Sequence, residues 1–326
     1  MREAAFLRRN ADRWKEFERL LDVGGKGANP DLLADLFVQI TDDLSYARTF
    51  YPKGRSTTYL NAIALRAHQA IYRNRREKKG RIWTFWRQEV PLALHESRRE
   101  LFYALLIFLL AGAVGVVSTA HDDSFVRLIL GDGYVNMTLE NIRNGDPMGV
   151  YGRMEEGGMF AMISVNNIMV SFLVFAEGLL VSIGTAWQLF RNGVMVGSFQ
   201  YFFHQHGLLL ESALVVWIHG TLEIASIVVA GGAGFTMGNS ILFPGTYSRI
   251  ESFRRGAKRG LKLVIGLVPV FLLAAFLESF VTRHTDMPLP LSLAIIGGSA
   301  AFVIWYFLLY PRTVHERVTH GQSKGR

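Results

Sequence analysis

Ionisable side chains lie inside strongly apolar stretches of this sequence, and they are the residues best placed to do chemistry. A charged group in hydrocarbon is costly and normally faces protein or water, so each one marks a candidate functional position. Four acids and three histidines occupy such stretches: Glu177, Glu211, Glu223, Glu278, His204, His206 and His219.

Many of these residues recur at helical spacing, at about 100° per residue, together with asparagines and small residues. The stripes predict a polar seam shared by the central helices, and its predicted members are Asn166, Asn167, Glu177, Asn192, His204, Glu211, His219 and Glu223. Small residues let helix backbones approach closely. The predicted packing positions are Gly184, Gly193, Gly197 and Gly234.

Three uses of such a seam remain open. Hydrogen bonds across helices would hold the bundle in register, whereas buried carboxylates and histidines could instead conduct or couple ions or protons. A metal-dependent hydrolase is the third use, because His219 and Glu223 lie four residues apart on one helix face. The spacing is H-x-x-x-E rather than H-E-x-x-H, and no G-x-S-x-G or Walker A motif is present. We therefore expect no enzyme, no catalytic residue, no metal and no cofactor.

The elements that must position these residues are membrane-spanning helices. A bilayer core needs roughly 20 apolar residues in a helix, and residues 101–119 and 287–310 contain no charged residue. The sequence predicts an all-α fold, a polytopic membrane helix bundle of about six spans behind an N-terminal soluble helical domain. The expected spans are 101–119, 160–190, 193–216, 219–237, 261–281 and 289–310. The polar stretch 202–207 leaves open a break in the third span.

The distribution of charge predicts the orientation in the membrane. Basic residues accumulate in cytoplasmic segments, and residues 1–100 contain 20 Lys/Arg against 13 Asp/Glu. The loop 245–260 and the tail 311–326 are also basic, whereas the loop 121–158 has 3 Arg and 7 Asp/Glu. Six crossings place both termini in the cytoplasm and 121–158 outside. No signal peptide is expected, since the first 20 residues are charged throughout.

The remaining regions follow from composition. Residues 1–81 are predicted to form a cytoplasmic helical domain, 82–100 an interfacial amphipathic segment, 101–310 the transmembrane domain and 311–326 a basic cytoplasmic tail. Trp83 and Trp86 beside basic residues favour the interface, and a docking helix of the soluble domain is the alternative. The net charge of +8 is attributed to orientation and anionic lipid, so no nucleic acid partner is expected.

Two stretches, 166–197 and 219–238, resemble the stage II sporulation protein M family (SpoIIM). The matching positions are paired asparagines, glycines and a His-Gly-x-x-Glu stretch: Asn166, Asn167, Gly178, Gly184, Asn192, Gly193, His219, Gly220, Glu223, Ala225 and Gly234. The N-terminal helices also resemble long-form members, so the resemblance extends over nearly the whole chain.

This resemblance implies a multi-pass protein of the bacterial inner membrane that acts as a scaffold in a complex. Its expected partners are the lipid bilayer and other membrane or envelope proteins. A homodimer is a further hypothesis, and it rests on the small-residue pairs Gly193/Gly197 and Gly297/Gly298.

Overall fold

The computed structural model describes residues 2–22, 30–73, 80–152, 155–284 and 287–323. Helices account for nearly all of these residues, and no strand occurs among them, which confirms the all-α fold. The chain divides into two compact units, Met1–Arg81 and Ile82–Arg326.

The first unit is built from three helices, α1 (Glu3–Asp22), α2 (Pro30–Phe50) and α3 (Arg55–Arg73). Apolar residues at helical spacing give each helix one buried face. Trp14, Phe17, Ile40, Leu60 and Ile63 form the centre of that core and are almost fully buried. The unit therefore has a hydrophobic core of its own, as an independently folding domain requires.

The second unit contains the membrane helices and the short elements between them. In chain order its helices are α4 (Arg81–Thr84), α5 (Val90–Glu96), α6 (Arg98–His121), α7 (Phe125–Leu130), α8 (Asp132–Arg143), α9 (Glu156–Ala176), α10 (Ile183–Gln205), α11 (Leu209–Leu242), α12 (Arg249–Phe276), α13 (Leu289–Val303) and α14 (Tyr310–Ser323). Single 3₁₀ turns cover Gly149–Gly152 and Glu177–Leu179, and π-helical turns cover Phe85–Glu89, Leu277–Thr282 and Ile304–Leu309.

Within the described ranges, five helices are long and apolar enough to cross a membrane: Arg98–His121, Glu156–Leu179, Leu209–Leu242, Arg249–Thr282 and Leu289–His320. Helix α10 has 23 residues, which is also long enough to cross a membrane. It is not one of the five, because its polar side chains make it less apolar than they are.

The predicted bounds of the second, third and fourth spans were wrong. The chain leaves the helix at 177–182, where Val181 and Ser182 have φ of 55° and 69°. It leaves again at 206–208, where Gly207 has φ of 75°. Asn192 lies inside α10, and its Nδ2 donates to the carbonyl oxygen of Gln188 at 2.8 Å. The polar stretch 202–207 thus covers the end of α10 and the start of the turn at 206–208, rather than a break within one span.

Contacts between the helices show that their directions alternate. Gly112 and Gly115 of α6 meet Gly193 and Ser198 of α10 in the same order, so α6 and α10 run parallel. Helix α11 runs opposite to α6, because Asn239 near its end reaches Glu100 near the start of α6, at 3.5 Å.

The other helices complete the alternation. Gly178, in the 3₁₀ turn after α9, meets Gly234 of α11. Eleven residues earlier on each helix, Asn167 of α9 neighbours Glu223 of α11. The two contacts follow the same order along both helices, so α9 runs parallel to α11. Helix α12 is antiparallel to α11, because Gly256 meets Ser240 and the π turn at its end meets His219. Helices α6, α9, α10, α11 and α12 therefore alternate in direction. Helix α13 continues the alternation, because the hydroxyl of Tyr310, just beyond its end, donates to the carbonyl oxygen of Arg87, in the segment before α6, at 3.0 Å.

The segment preceding α6 packs against the membrane helices. Val90 and Leu94 are buried, and Trp86 Nε1 donates to the carbonyl oxygen of Gly266 at 3.2 Å. The hydroxyl of Tyr306 in turn donates to the carbonyl oxygen of Trp86 at 2.8 Å. Trp83, by contrast, is 73% exposed, so only part of this segment is free to meet an interface.

The loop between α6 and α9 forms a small folded cap. Val126, Val135 and Met148 of this loop are buried against Phe202 and Phe203 near the end of α10. The cap therefore sits on the ends of the membrane helices at which α6 and α10 finish.

Candidate functional site

The most concentrated group of ionisable side chains joins α11 to the end of α12. His219 and Glu223 lie one turn apart on α11, and Glu278 comes from the π turn that follows α12. One ligand atom from each of the three lies within 4.8 Å of the other two. Two carboxylates and an imidazole this close can share a proton or hold a cation.

A hydroxyl fixes the direction of the imidazole. His219 Nδ1 lies 3.0 Å from Thr282 Oγ1, and Nε2 lies 3.9 Å from Glu278 Oε1. Glu278 and Thr282 both belong to the π turn Leu277–Thr282. Such turns are rare and often occur at functional sites. This one presents an acid and a hydroxyl together to a single histidine.

Helix α9 brings an amide to the same cluster. The Asn167 side chain neighbours the Glu223 carboxylate, and Asn166 Nδ2 donates to Asn167 Oδ1 at 3.4 Å. Asn167 is only 7% exposed. Its buried Nδ2 has no acceptor at hydrogen-bonding geometry in the described structure.

A cavity of about 360 Å³ opens onto this cluster. Ile129, Leu130 and Tyr134 of the cap line one part of it, and His219 and Glu223 line another. Asn192 and Gln200 of α10 add two amides to its walls. The cavity thus extends from the cap to the cluster between largely apolar walls.

The structure separates the predicted seam into parts. Asn167, His219 and Glu223 belong to the cluster, Asn192 lines the cavity, and Asn166 is exposed beside Asn167. Glu177 lies in the turn between α9 and α10, where its Oε1 accepts from Gln188 Nε2 at 2.9 Å. His204 and Glu211 are exposed beside the turn at 206–208. The structure does not bring all eight residues together in one seam, because the observed helix bounds place His204 and Glu211 at helix ends.

The four predicted packing glycines all lie at close approaches. A Cβ on Gly193 would lie 2.6 Å from the carbonyl oxygen of Phe108, and a Cβ on Gly197 would overlap that of Gly112. One on Gly234 would lie 2.9 Å from the carbonyl oxygen of Val174, and one on Gly184 would lie 2.8 Å from that of Glu177. Gly193 and Gly197 are thus used against α6 within the chain, which removes them as support for a homodimer.

Sequence reasoning marked Glu278 as a membrane acid but left it out of the seam, and it did not mark Thr282. The available signal was their spacing of four residues near the end of an apolar span. That spacing does not reveal which helix they face, because their partner His219 is about 60 residues away and its contact depends on how α11 and α12 pack.

Comparison with known protein families gives one match in each of the two compact units, Met1–Arg81 and Ile82–Arg326. The model of the family described as Stage II sporulation protein M, SpoIIM, matches residues 104–283. A separate model, described as a domain of unknown function, DUF8413, matches residues 4–73. The resemblance to SpoIIM was expected to extend over the N-terminal helices as well. The SpoIIM match does not include them, and a separate domain matches there instead. No curated protein and no solved structure matches the chain. Since the first match spans more than half of its length and includes the His219–Glu223 stretch, the chain belongs to the SpoIIM family.

Proposed function

We propose that this protein is a scaffold of the bacterial inner membrane that assembles a complex with membrane or envelope partners. The observation that carries the proposal is the backbone-close packing of its helices. Gly197 meets Gly112, Gly178 meets Gly234, and Gly260 meets the carbonyl oxygen of Ala233. Contacts of this kind leave little room for sliding and suit a fixed platform.

The outermost helix offers a surface for a partner. Only 17% of the most apolar window of Leu289–His320 is buried, compared with 50% for Leu209–Leu242. Gly297 and Gly298 are exposed on it, and a Cβ on either would meet no neighbouring atom within 4 Å. Small residues on an open helix face allow another helix to approach closely, so α13 is the proposed contact with a partner helix or a second copy.

Site-specific photo-crosslinking in native membranes tests this assignment. A photoreactive residue at Gly298 is expected to give a discrete protein adduct, whose mass distinguishes a second copy from a different partner. The matched control places the same residue at Leu109, which is 58% exposed on α6. Absence of a discrete adduct at Gly298, or equal adducts at both positions, would contradict a scaffold contact through α13.

A transporter or channel is the second candidate, and the cavity leading to His219 and Glu223 is the observation that favours it. Ionisable groups at membrane depth commonly mark ion pathways. The same crosslinking preparation discriminates between the two candidates. If Glu223→Gln keeps the Gly298 adduct but loses an ion flux that the wild type shows in proteoliposomes, transport is the function.

The proposed orientation places both termini in the cytoplasm. Its support is the alternation of six helices together with the charge at their ends. The turn between α11 and α12 belongs to a segment with 5 Lys/Arg in residues 245–260, whereas the cap lies in a segment with 7 Asp/Glu in residues 121–158. This difference agrees with the cytoplasmic preference of basic residues.

A further inference from the structure

We propose that His219, Glu223 and Glu278 bind one divalent transition-metal ion, with His219 Nε2 and an oxygen of each carboxylate as ligands. This metal site goes beyond the scaffold proposal and does not depend on it. The metal would tie α11 to the end of α12 at the bottom of the cavity.

The spacing of the ligand atoms suits an ion after a small adjustment. Bonds of about 2.0–2.2 Å to nitrogen and oxygen place ligand atoms about 3.4 Å apart in a tetrahedral shell. The three atoms now lie within 4.8 Å of one another, and His219 Nε2 is 3.9 Å from Glu278 Oε1. The proposal therefore requires a rotation of the Glu223 and Glu278 side chains that brings their oxygens closer to His219 Nε2.

The surrounding groups hold the ligands in position. A metal-bound histidine usually makes a hydrogen bond through its other ring nitrogen, and here His219 Nδ1 lies 3.0 Å from Thr282 Oγ1. If Nδ1 carries the proton and donates it to that hydroxyl, the lone pair of Nε2 points toward Glu278. The π turn that carries both Glu278 and Thr282 makes this arrangement possible.

Asn167 supplies the second, independent observation. Its buried Nδ2 interacts with the Glu223 carboxylate, but not at the geometry of a full hydrogen bond. A buried donor without an acceptor is costly. When the Glu223 carboxylate turns one oxygen toward the metal, its other oxygen is placed to accept from Asn167, as the carboxylates of metal sites commonly do.

Charge and ligand type indicate the class of ion. Two ionised carboxylates in a low-dielectric interior repel one another, and a divalent cation offsets both. An imidazole beside carboxylates favours zinc, iron, cobalt or nickel over magnesium and calcium. His219 and Glu223 line a cavity of about 360 Å³, which leaves space beside these two ligands for an ion to approach.

Cobalt binding to the full-length protein tests the site. The protein is purified in detergent through a tag without histidine, stripped with a chelator and titrated with Co²⁺. A second imidazole pair, His95 and His315 with ring centroids 4.0 Å apart, is removed by His95→Asn and His315→Asn in every sample, and the protein with only these two changes serves as the wild type of this experiment. We expect one Co²⁺ per chain, a ligand-field absorption band, and displacement of the cobalt by Zn²⁺.

Glu223→Gln and Glu278→Gln are each expected to weaken Co²⁺ binding by at least tenfold. Thr282→Val is expected to weaken it severalfold while leaving all three ligands in place. The matched control is Glu177→Gln, because Glu177 is a membrane-region acid bonded to Gln188, and we expect no change in its affinity. Elution volume and thermal midpoint in chelator show which variants fold.

Two results would overturn the site. One is a folded wild-type protein that retains no Co²⁺, which would mean that the cluster holds only protons. The other is Co²⁺ binding that stays undiminished in both glutamate variants. If a glutamate variant does not fold in chelator, Thr282→Val and the wild-type stoichiometry decide the question.

Discussion

At the scale of single residues, glycines at helix crossings and polar side chains near the cavity serve different purposes. Gly197 and Gly234 bring backbones together, so any side chain there displaces a neighbouring helix. His219 and Glu223 instead line a space that those close approaches leave open. The glycine contacts fix the positions of the helices, and the position of each polar group follows from them.

Gly197→Ala tests the glycine contacts. The new Cβ would overlap the carbonyl oxygen of Gly112, and overpacking of this kind typically costs about 1–3 kcal/mol. We expect a lower midpoint of thermal unfolding in detergent. Gly297→Ala is the matched control, since a Cβ there meets open space and alanine is the better helix former by roughly 1 kcal/mol. An unchanged midpoint for Gly197→Ala would contradict the packing at this crossing.

At the scale of elements, α5 and α14 form a contact that depends on protonation. The rings of His95 and His315 stack with centroids 4.0 Å apart. Burial lowers the pKa of His95, and the nearby His315, Arg98 and Arg312 lower it further, while Glu96 acts in the opposite direction. The folded contact therefore favours the neutral imidazole.

The sign of the pH effect follows from this lowered pKa. Histidine in the unfolded chain takes up a proton near pH 6.5, whereas His95 in the folded protein takes one up only at lower pH. Below about pH 6.5 the unfolded state therefore binds more protons than the folded state. The contribution of His95 to stability is lost as the pH falls through this range. We expect the thermal midpoint to fall between pH 7.5 and 5.5. His95→Gln, which does not titrate, is expected to show a smaller fall. An equal fall in both proteins would exclude His95 as a cause.

At the scale of the whole molecule, the even number of helices and their charged ends determine the proposed orientation. The cap and the turns at its end of the bundle would lie outside, and the basic turn between α11 and α12 inside. The second unit then presents an acidic cap to one side of the membrane and basic segments to the other.

Cysteine labelling tests the orientation directly, because the chain has no native cysteine. Asn144→Cys in the cap is expected to react with a membrane-impermeant maleimide in intact cells. Thr58→Cys in α3 and Thr319→Cys in α14 are expected to react only after permeabilisation. All three positions are exposed, so burial does not account for protection. Labelling of Thr319→Cys in intact cells would reverse the proposed topology.

The sequence by itself determined the helical class, the membrane setting and the family, because long apolar stretches, charge bias and the His-Gly-x-x-Glu spacing are local properties. It also marked His219, Glu223 and Asn167 as notable. The turn at 177–182 escaped it, since Val181 and Ser182 lie in an apolar stretch whose average hydropathy conceals a left-handed backbone.

Only the tertiary structure decided which polar residues meet. Glu278 and Thr282 join His219 because α11 and α12 are antiparallel and the end of α12 widens into a π turn. His204 and Glu211 leave the predicted seam because the turn at 206–208 carries them to helix ends. Periodicity specifies the face of one helix on which a residue lies, but the neighbour of that face depends on packing between segments distant in sequence.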